Sequence, residues 1–436
     1  MKGSLLDLFS RIAEAGHALV SAGAGRKNLG DSCAALLSGR GEATGLALAR
    51  DILGRYAALD QAGKRAFFAE AAQSFGVDEG ALKSAINAWR AAGGGDPRAI
   101  HLASEPRSRE LIRRLNRAPG GTRALVAMRA DLLRAASEDA ALQALDMDFR
   151  HLLASWFNRG FLELRRIDWS SPAAVLEKII AYEAVHAIDG WDDLRQRVAA
   201  PDRRLYAFFH PALVDDPLIF VEVALTDAVP AAIGPILAGE RAALSPGLAS
   251  VAAFYSISNC QAGLQGISFG NFLIKQVVEE LQGELKGLKT FATLSPLPGL
   301  RRWAVAECGR GQAGMLTAPQ RTALQALEAA GAAAADGAAA EILPEVAARY
   351  LIQAKTPRRA SPLPLDPVAR FHLGNGARLE WINAAADRSA RGLENAWGVM
   401  VNYLYDLDAI ERNHEAFANT GEVIVSARVR RLLKAH

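Results

Sequence analysis

The chain has 436 residues, of which 50% are hydrophobic and 22% are charged, as in an ordinary globular protein of two or three domains. Its net charge of +3 suits an anionic small molecule, and the lack of a long basic run gives no support for nucleic-acid binding. The three cysteines, Cys33, Cys260 and Cys308, fit neither a disulfide framework nor a zinc site, which indicates a reducing compartment.

The termini carry no recognisable targeting signal. Residues 1–20 resemble an amphipathic helix that contains Asp7 and Glu14, without the apolar core and cleavage site of a signal peptide. No run of about 18 apolar residues occurs, so no membrane span is expected. These features together predict a cytoplasmic protein.

The first 165 residues predict an all-α bundle. Glycine and proline clusters at 93–97 and 119–121 separate the predicted helices. No group of polar residues accompanies the apolar stripes, so a scaffold or an oligomerisation surface is the simplest interpretation. The stripes have helical spacing and include Leu46, Ala49, Leu53 and Tyr56, then Leu125, Met128 and Leu132, then Leu145, Phe149, Leu152 and Trp156.

After Trp169 the chain contains four apolar runs rich in β-formers, LYAFFHP, PLIFVEVALT, VAAFYSIS and KTFATLS. The first two runs predict an antiparallel hairpin. The last two flank a helix predicted from Asn271 to about Leu285, which indicates a parallel pair of strands with a right-handed crossover. The alanine-rich stretch 323–342 is either a helix or a surface insertion.

A glycine-rich turn, QAGLQGISFGN, joins the third of these strands to the helix. Gly263, Gly266 and Gly270 allow backbone N–H groups to approach an anion, and a helix N-terminus favours negative charge. The spacing is neither that of a Walker loop nor that of GxGxxG, so phosphate binding and a packing turn both stay open. Lys275 on the helix is free to meet outer phosphates.

Two further residues invite a catalytic interpretation. Ser295 ends a predicted strand, where ligands gather in open sheets, although a serine before proline is often a turn residue. His372 is predicted on a short strand before a tight turn at Asn375 and Gly376, and a structural histidine is the alternative. The absence of GxSxG argues against a hydrolase. Along VMVNYLYDL, alternating tyrosines predict a core or interface stripe.

The chain resembles the malonyl-CoA decarboxylases at four segments, FYSISNCQAGLQGISFGNFLIKQVVEEL, TLSPLPG, FHLGNGARLEWINAAAD and GVMVNYLYDLDAIERNHEAF. The resemblance extends over essentially the whole chain and is looser in the helical part. It implies an α+β fold, with an N-terminal helical bundle over 1–165 that mediates assembly. It also implies a C-terminal domain over 166–436, similar to the acetyltransferase (GNAT) superfamily, whose mixed, splayed sheet holds coenzyme A at the split.

The resemblance further implies site residues. Ser295 and His372 align with the active-site serine and histidine of the family, Tyr405 with a tyrosine near them, and Lys178 with a lysine important in relatives. The segment that contacts coenzyme A corresponds to Gln265, Gly266, Ile267, Ser268, Phe269, Gly270 and Asn271. Ser268 stands where animal members carry a glutamate.

The implied reaction is decarboxylation of malonyl-CoA to acetyl-CoA and CO₂ through a thioester enolate. Ser295 would bind the malonyl carboxylate or the thioester oxygen, and His372 would protonate the enolate carbon if its pKa is not strongly depressed. The thioester is itself the electron sink, so neither a metal nor a separate cofactor is expected. The expected partners are malonyl-CoA and further copies of the chain, in a dimer or tetramer, without nucleic acid or membrane.

Two other functions stay open on the sequence. An acetyltransferase-like fold would permit an acyl-CoA-dependent acyltransferase, which needs an amine acceptor. A non-catalytic acyl-CoA sensor would bind its ligand without turnover. The preference between malonyl-CoA and methylmalonyl-CoA is not visible, because one methyl group is worth only about 1–3 kcal/mol in a pocket.

Overall fold

The computed structural model describes residues 28–39, 41–136, 139–267, 273–331, 341–356 and 362–433. The chain divides into two compact units that interleave along the sequence. The first comprises Met1–Leu162, His210–Val214 and Gln261–Phe269, and the second comprises Glu163–Phe209, Asp215–Cys260 and Gly270–His436. The predicted domain boundary at residue 165 stays a prediction.

The first unit is helical, as its apolar stripes predict. Aspartates cap three helix starts, and Asp60 for example accepts a hydrogen bond of 2.7 Å from the Gly63 N–H. Leu125, Leu132 and Leu153 are completely buried. The helices among its described residues are α1 (Leu29–Leu37), α2 (Glu42–Ala57), α3 (Gln61–Ser74), α4 (Glu79–Ala91), α5 (Arg98–Ala103), α6 (Arg107–Leu115), α7 (Gly121–Ala135) and α8 (Ala140–Trp156).

The second unit is built on one mixed sheet. Its strands are β1 (Glu163–Ile167), β2 (Arg203–Phe209), β3 (Ile219–Thr226), β4 (Val251–Asn259), β5 (Thr290–Thr293), β6 (Ser295–Pro296), β7 (Arg378–Asn383) and β8 (Met400–Leu404). The order is β1-β2-β3-β4-β5-β8-β6, and β7 also pairs with β8. The predicted α+β fold, a helical N-terminal part with a mixed sheet after it, is therefore confirmed.

Helices precede, connect or follow the strands of this sheet. They are α9 (Ala173–Tyr182), α10 (Gly190–Ala199), α11 (Gly234–Leu237), α12 (Leu273–Glu284), α13 (Leu300–Gly309), α14 (Ala318–Ala330), α15 (Leu343–Ile352), α16 (Pro367–Gly374), α17 (Ala390–Ala396), α18 (Ile410–Thr420) and α19 (Ala427–Leu432). Part of the alanine-rich stretch is thus helical, in α14. Residues 332–340 and the predicted N-terminal helix lie outside the described residues. Among the described helices, none combines the length and the apolar character that a membrane crossing requires.

The sheet splits between β4 and β5. The hairpin of β2 and β3 and the parallel pairing of β4 with β5 are both confirmed. The parallel ladder extends only from Val251 to Phe254 on β4, whereas β4 itself continues to Asn259. Beyond Phe254 the chain that leaves β5 pairs instead with β8. The last five residues of β4 therefore do not pair with β5, and we call them the free arm of β4.

The carboxylate of Glu183 holds the free arm by hydrogen bonds. Glu183 accepts hydrogen bonds from the Ser256 hydroxyl at 2.8 Å and the Ser258 hydroxyl at 3.3 Å, both on β4. It also accepts from the backbone N–H groups of Val185 and His186 at 2.7 and 2.8 Å. The loop after α9 is thereby attached to β4 past the point where β5 leaves.

A second carboxyl group lies beside the first at the centre of the sheet. Glu222 on β3 is completely buried, and Arg197 lies 3.4 Å from it. Burial raises the pKa of Glu222 to about 8, and the neighbouring Glu183 acts in the same direction against the attraction of Arg197. Glu222 therefore retains its proton at a pH where an exposed glutamate is ionised.

This pKa predicts a pH dependence of stability. The pKa of Glu222 in the folded protein lies above the ordinary value of 4.5. Its contribution to the free energy of unfolding is therefore complete below about pH 4.5 and is lost as the pH rises to about 8. We expect the thermal midpoint of Glu222→Gln, measured by circular dichroism from pH 5 to 8, to lack this decline, which is about 1.4 kcal/mol per pH unit for one proton.

The matched control is Glu279→Gln, at an exposed position of α12. Its midpoint should follow that of the unmodified protein at each pH. Parallel curves for the Glu222 variant and the control would contradict a protonated Glu222.

Candidate active site

Ser295 lies where β4 and β5 separate. The N–H of Leu294 donates a hydrogen bond of 2.8 Å to the Phe254 carbonyl, the last link between the two strands. Ser295 follows at once as the first residue of β6 and pairs with Val401 of β8. It is 5% exposed. The prediction that this serine stands at the end of a strand beside a split is confirmed.

His372 lies on a helix, so its predicted position on a strand is wrong. Asp366 caps α16, accepting a hydrogen bond of 2.8 Å from the Ala369 N–H, and Pro367 occupies the first turn. The apolar neighbours of His372 looked like a short strand because the helix is only two turns long. The tight turn after it is present, with Gly376 at a φ of 82°.

Helix α16 and strand β8 bring three predicted catalytic residues together. The Oγ of Ser295 lies 3.0 Å from the Nε2 of His372, and the Nδ1 of His372 lies 2.8 Å from the Tyr405 hydroxyl. The Ser295 hydroxyl also donates to the Oγ1 of Thr293 at 2.8 Å. The ring of Tyr403 stacks on that of His372, with centroids 4.7 Å apart.

The number of protons on each group determines which atom donates in each of these hydrogen bonds. Ser295 has one hydroxyl proton, and it is used in the bond to Thr293. The bond between Ser295 and His372 must then be donated by the Nε2–H of His372. Since a neutral imidazole carries one proton, its Nδ1 accepts from the Tyr405 hydroxyl. The arrangement runs from Tyr405 through His372 and Ser295 to Thr293.

Burial keeps all of these groups neutral in the free protein. His372 is 3% exposed, and desolvation lowers its pKa to about 3. Desolvation also raises the pKa of Tyr405 well above its ordinary value. The condition placed on His372 from the sequence, a pKa that is not strongly depressed, is therefore not met without a bound ligand.

The predicted coenzyme A segment is described only in part. Gln265, Gly266 and Ile267 form a turn after the 3₁₀ helix Ala262–Leu264 in the first unit. Gly266 has a φ of 75°, in the left-handed region that glycine tolerates best. The remaining predicted residues, Ser268, Phe269, Gly270 and Asn271, lie outside the described residues.

Two lysines singled out in the sequence have acidic partners. Lys275 forms an ion pair with Glu411, so the interpretation of Lys275 as free for phosphates is wrong. Lys178 donates a hydrogen bond of 2.9 Å to the Asp215 carbonyl and lies 3.5 Å from Asp216. Neither lysine contacts the group around His372 in the described structure.

The comparisons with known proteins agree over nearly the whole chain. Residues 160–436 match the malonyl-CoA decarboxylase C-terminal domain and residues 75–157 match the N-terminal domain of the same family. The chain belongs to the malonyl-CoA decarboxylase family.

Solved and curated family members are similar over most of their length. The crystal structure of malonyl-CoA decarboxylase from Rhodopseudomonas palustris shares 52% identity, with a TM-score of 0.88 over 92% of this chain and 98% of that one. The enzyme from Agrobacterium vitis shares 51% identity, with a TM-score of 0.86 over 93% and 99% of the two chains. The mitochondrial malonyl-CoA decarboxylase of Rattus norvegicus is 34% identical over 416 residues, which cover 87% of this chain and 84% of that protein.

In this member of the malonyl-CoA decarboxylase family the structure adds Thr293, which the sequence interpretation missed, and it places Tyr403, predicted only as part of a core or interface stripe, against His372. Thr293 is completely buried, accepts from Ser295 and receives a second hydrogen bond of 3.1 Å from the Tyr403 N–H. Its position two residues before Ser295 on an extended chain was the available signal, because such residues share one face. Tyr403 shares a face with Tyr405 for the same reason.

The described residues contain no group of three or more histidine, cysteine, aspartate or glutamate side chains able to hold a metal ion. The atoms around Ser295 are hydroxyl groups and one imidazole, which suit hydrogen bonding to a carboxylate or a thioester oxygen. What this group can do chemically is bind an oxygen anion and move a proton between Nε2 and that anion.

The direction of the hydrogen bonds predicts one tautomer for His372. We expect ¹⁵N NMR of the imidazole to show a protonated Nε2 and an unprotonated Nδ1, with no titration between about pH 5 and 8, because burial disfavours the imidazolium. The spectrum of His372→Asn identifies the signal by its loss. A protonated Nδ1, or a midpoint near the ordinary histidine value, would refute this arrangement.

Proposed function

We propose that the chain decarboxylates malonyl-CoA to acetyl-CoA and CO₂. The observation that carries this proposal is the buried, neutral chain of Tyr405, His372 and Ser295 in a member of this family. The reaction requires hydrogen-bond donors and one proton, since the thioester carbonyl takes up the electron pair.

The reaction divides into two balanced steps. The bond between the α-carbon and the carboxylate breaks, its electron pair enters the thioester carbonyl, and CO₂ and an enolate result. A proton then joins the α-carbon and gives acetyl-CoA. Because binding the substrate and the transition state equally gives no acceleration, we propose that Ser295 donates its hydrogen bond to the oxygen on which charge develops.

We further propose that His372 receives its proton together with the substrate. Protonating His372 in the free protein at pH 7 costs about 5 kcal/mol, since its pKa is about 3. A carboxylate about 4 Å away supplies about 4 kcal/mol of attraction at an effective dielectric constant of 20, and a charge-assisted hydrogen bond adds to it. The attraction of the carboxylate nearly offsets the cost of protonation, so a bound malonyl group allows His372 to be protonated near pH 7.

The hydrogen-bond geometry gives that proton a route. The imidazolium would carry protons on both nitrogens, with Nδ1–H donating to the Tyr405 oxygen and Nε2–H donating to Ser295. Once the enolate has formed, the Ser295 hydroxyl proton leaves its hydrogen bond to the enolate oxygen and passes to the α-carbon, and the Nε2 proton replaces it on Ser295. His372 returns to its neutral state, and the proton has neutralised the negative charge that the carboxylate left on the enolate.

The first experiment tests the function directly. Incubation with malonyl-CoA alone should give acetyl-CoA and CO₂ by mass spectrometry, after dialysis against a chelator, with methylmalonyl-CoA assayed in parallel. Acyl transfer that requires an added amine would instead identify an acyltransferase. Tight binding of malonyl-CoA without any product would identify a sensor.

The variants His372→Asn and Ser295→Ala test the roles of the two residues. We expect each to lower kcat by about 10²–10⁴-fold, the usual contribution of acid–base catalysis, and to leave the affinity for free coenzyme A nearly unchanged. His151→Asn, at an exposed position of α8, is the control. Full turnover in either site variant removes that residue from the mechanism.

The pH profile tests when His372 is protonated. If the imidazolium forms only with substrate, kcat/KM should fall about tenfold per pH unit from about pH 6.5 to 8.5, because it reports the free protein, whose pKa is about 3. The value of kcat, which reports the complex, should level off below about pH 7 and fall above it, because the attraction of the carboxylate nearly offsets the cost of protonation at that pH. If kcat/KM stays constant instead, His372 acts while neutral.

Assembly and location stay predictions. We propose a homo-oligomer, a dimer or tetramer formed through the helical part, in the cytoplasm. Sedimentation velocity of the full chain measures the first of these.

A further inference from the structure

Arg129 is a buried arginine outside the group around His372. It lies on α7 and is 1% exposed. Its Nη1 donates hydrogen bonds of 2.7 Å to the Gly263 carbonyl and 3.0 Å to the Gln265 carbonyl. Its Nε donates at 2.7 Å to Asp146 on α8. One guanidinium therefore connects two helices of the first unit to the turn predicted to contact coenzyme A.

The turn rests directly on α7. A Cβ atom at Gly263 would stand only 1.8 Å from the Val126 carbonyl oxygen, so this close approach requires glycine. Leu264 and Ile267 are buried, whereas Gln265 and Gly266 are exposed. The turn thus has a buried side that faces the helices and an exposed tip.

The contact with Arg129 sets the orientation of the peptide between Gln265 and Gly266. In a planar trans peptide the carbonyl and the N–H point in opposite directions. Because the Gln265 carbonyl points at Arg129, the Gly266 N–H points away from it, at the exposed tip. Within the described part of the chain, the N–H groups of Gln265 and Ile267 donate to carbonyls of the turn, and the Gly266 N–H has no acceptor.

We propose that Arg129 is a positioning residue that aims the Gly266 N–H at an oxygen of the coenzyme A pyrophosphate. The inference rests on the proposed function, in which this turn contacts coenzyme A. Arg129 is not itself a phosphate ligand, because it is buried and Asp146 neutralises its charge. It acts through the two carbonyls, and a lysine cannot replace it because one ammonium cannot reproduce the planar fork.

The experiment compares two substrates in Arg129→Lys. Malonyl-pantetheine lacks the pyrophosphate and nucleotide, so it makes no use of the Gly266 N–H. For malonyl-CoA we expect kcat/KM to fall by about 10- to 100-fold, mainly through KM, as for other small displacements of a binding group. For malonyl-pantetheine we expect kcat/KM to equal that of the unmodified protein. Equal losses for both substrates would overturn the proposal.

The control is Arg109→Lys. Arg109 also pairs with a carboxylate of α8, Asp148, at 2.9 Å, but it makes no contact with the turn. We expect no difference between the substrates in this variant, and a selective loss for malonyl-CoA would contradict a specific role of Arg129. Asp146→Asn provides a second test if Arg129→Lys does not fold, and it should show the same selective loss.

Binding measurements separate this inference from the proposed function. If the unmodified protein does not convert malonyl-CoA, the function fails while calorimetry with coenzyme A and pantetheine still tests Arg129. If Arg129→Lys binds coenzyme A more weakly than the unmodified protein does but binds pantetheine equally well, the positioning role is supported. An unchanged coenzyme A affinity overturns it.

Discussion

The hydrogen bond from the Leu294 N–H to the Phe254 carbonyl marks the place where the sheet of the second unit splits. Up to that bond β4 and β5 form one sheet, and beyond it each strand has its own partners. Polar groups of the backbone and of side chains at such a division need other partners, because buried polar groups are costly when unpaired. On one side Glu183 supports the free arm of β4, and on the other β8 takes up the chain that carries Ser295.

Burial accounts for the electrostatics of the second unit. Glu222 and His372 are both buried deeply enough that burial acts as the first cause of their shifted pKa values, one upward and one downward. Each therefore stays uncharged in the free protein. The buried His372 beside Ser295 can respond strongly to an arriving carboxylate, because attraction increases as the effective dielectric constant falls.

Much of the fold follows from local patterns, and the site does so only in part. Apolar spacing predicted the helices of the first unit, and the order of strand, helix and strand predicted the parallel pair. His372 was placed on a strand because its two apolar neighbours, Phe371 and Leu373, on a two-turn helix mimic one, and it lies 77 residues from Ser295. Only the family motifs paired the two. Arg129 had no signal at all, since a side chain that contacts backbone carbonyls 134 and 136 residues away leaves no trace in residue types.

The interleaving of the two units also bears on how the chain folds. The helical unit includes His210–Val214 and Gln261–Phe269, so it lacks parts of its own structure until those segments have left the ribosome. Domains usually fold in the order of synthesis, N-terminal first. Here the buried Arg129 has only Asp146 as a partner until Gly263 and Gln265 arrive. The first helices to be made therefore acquire their final contacts after β1 to β4 have been synthesised.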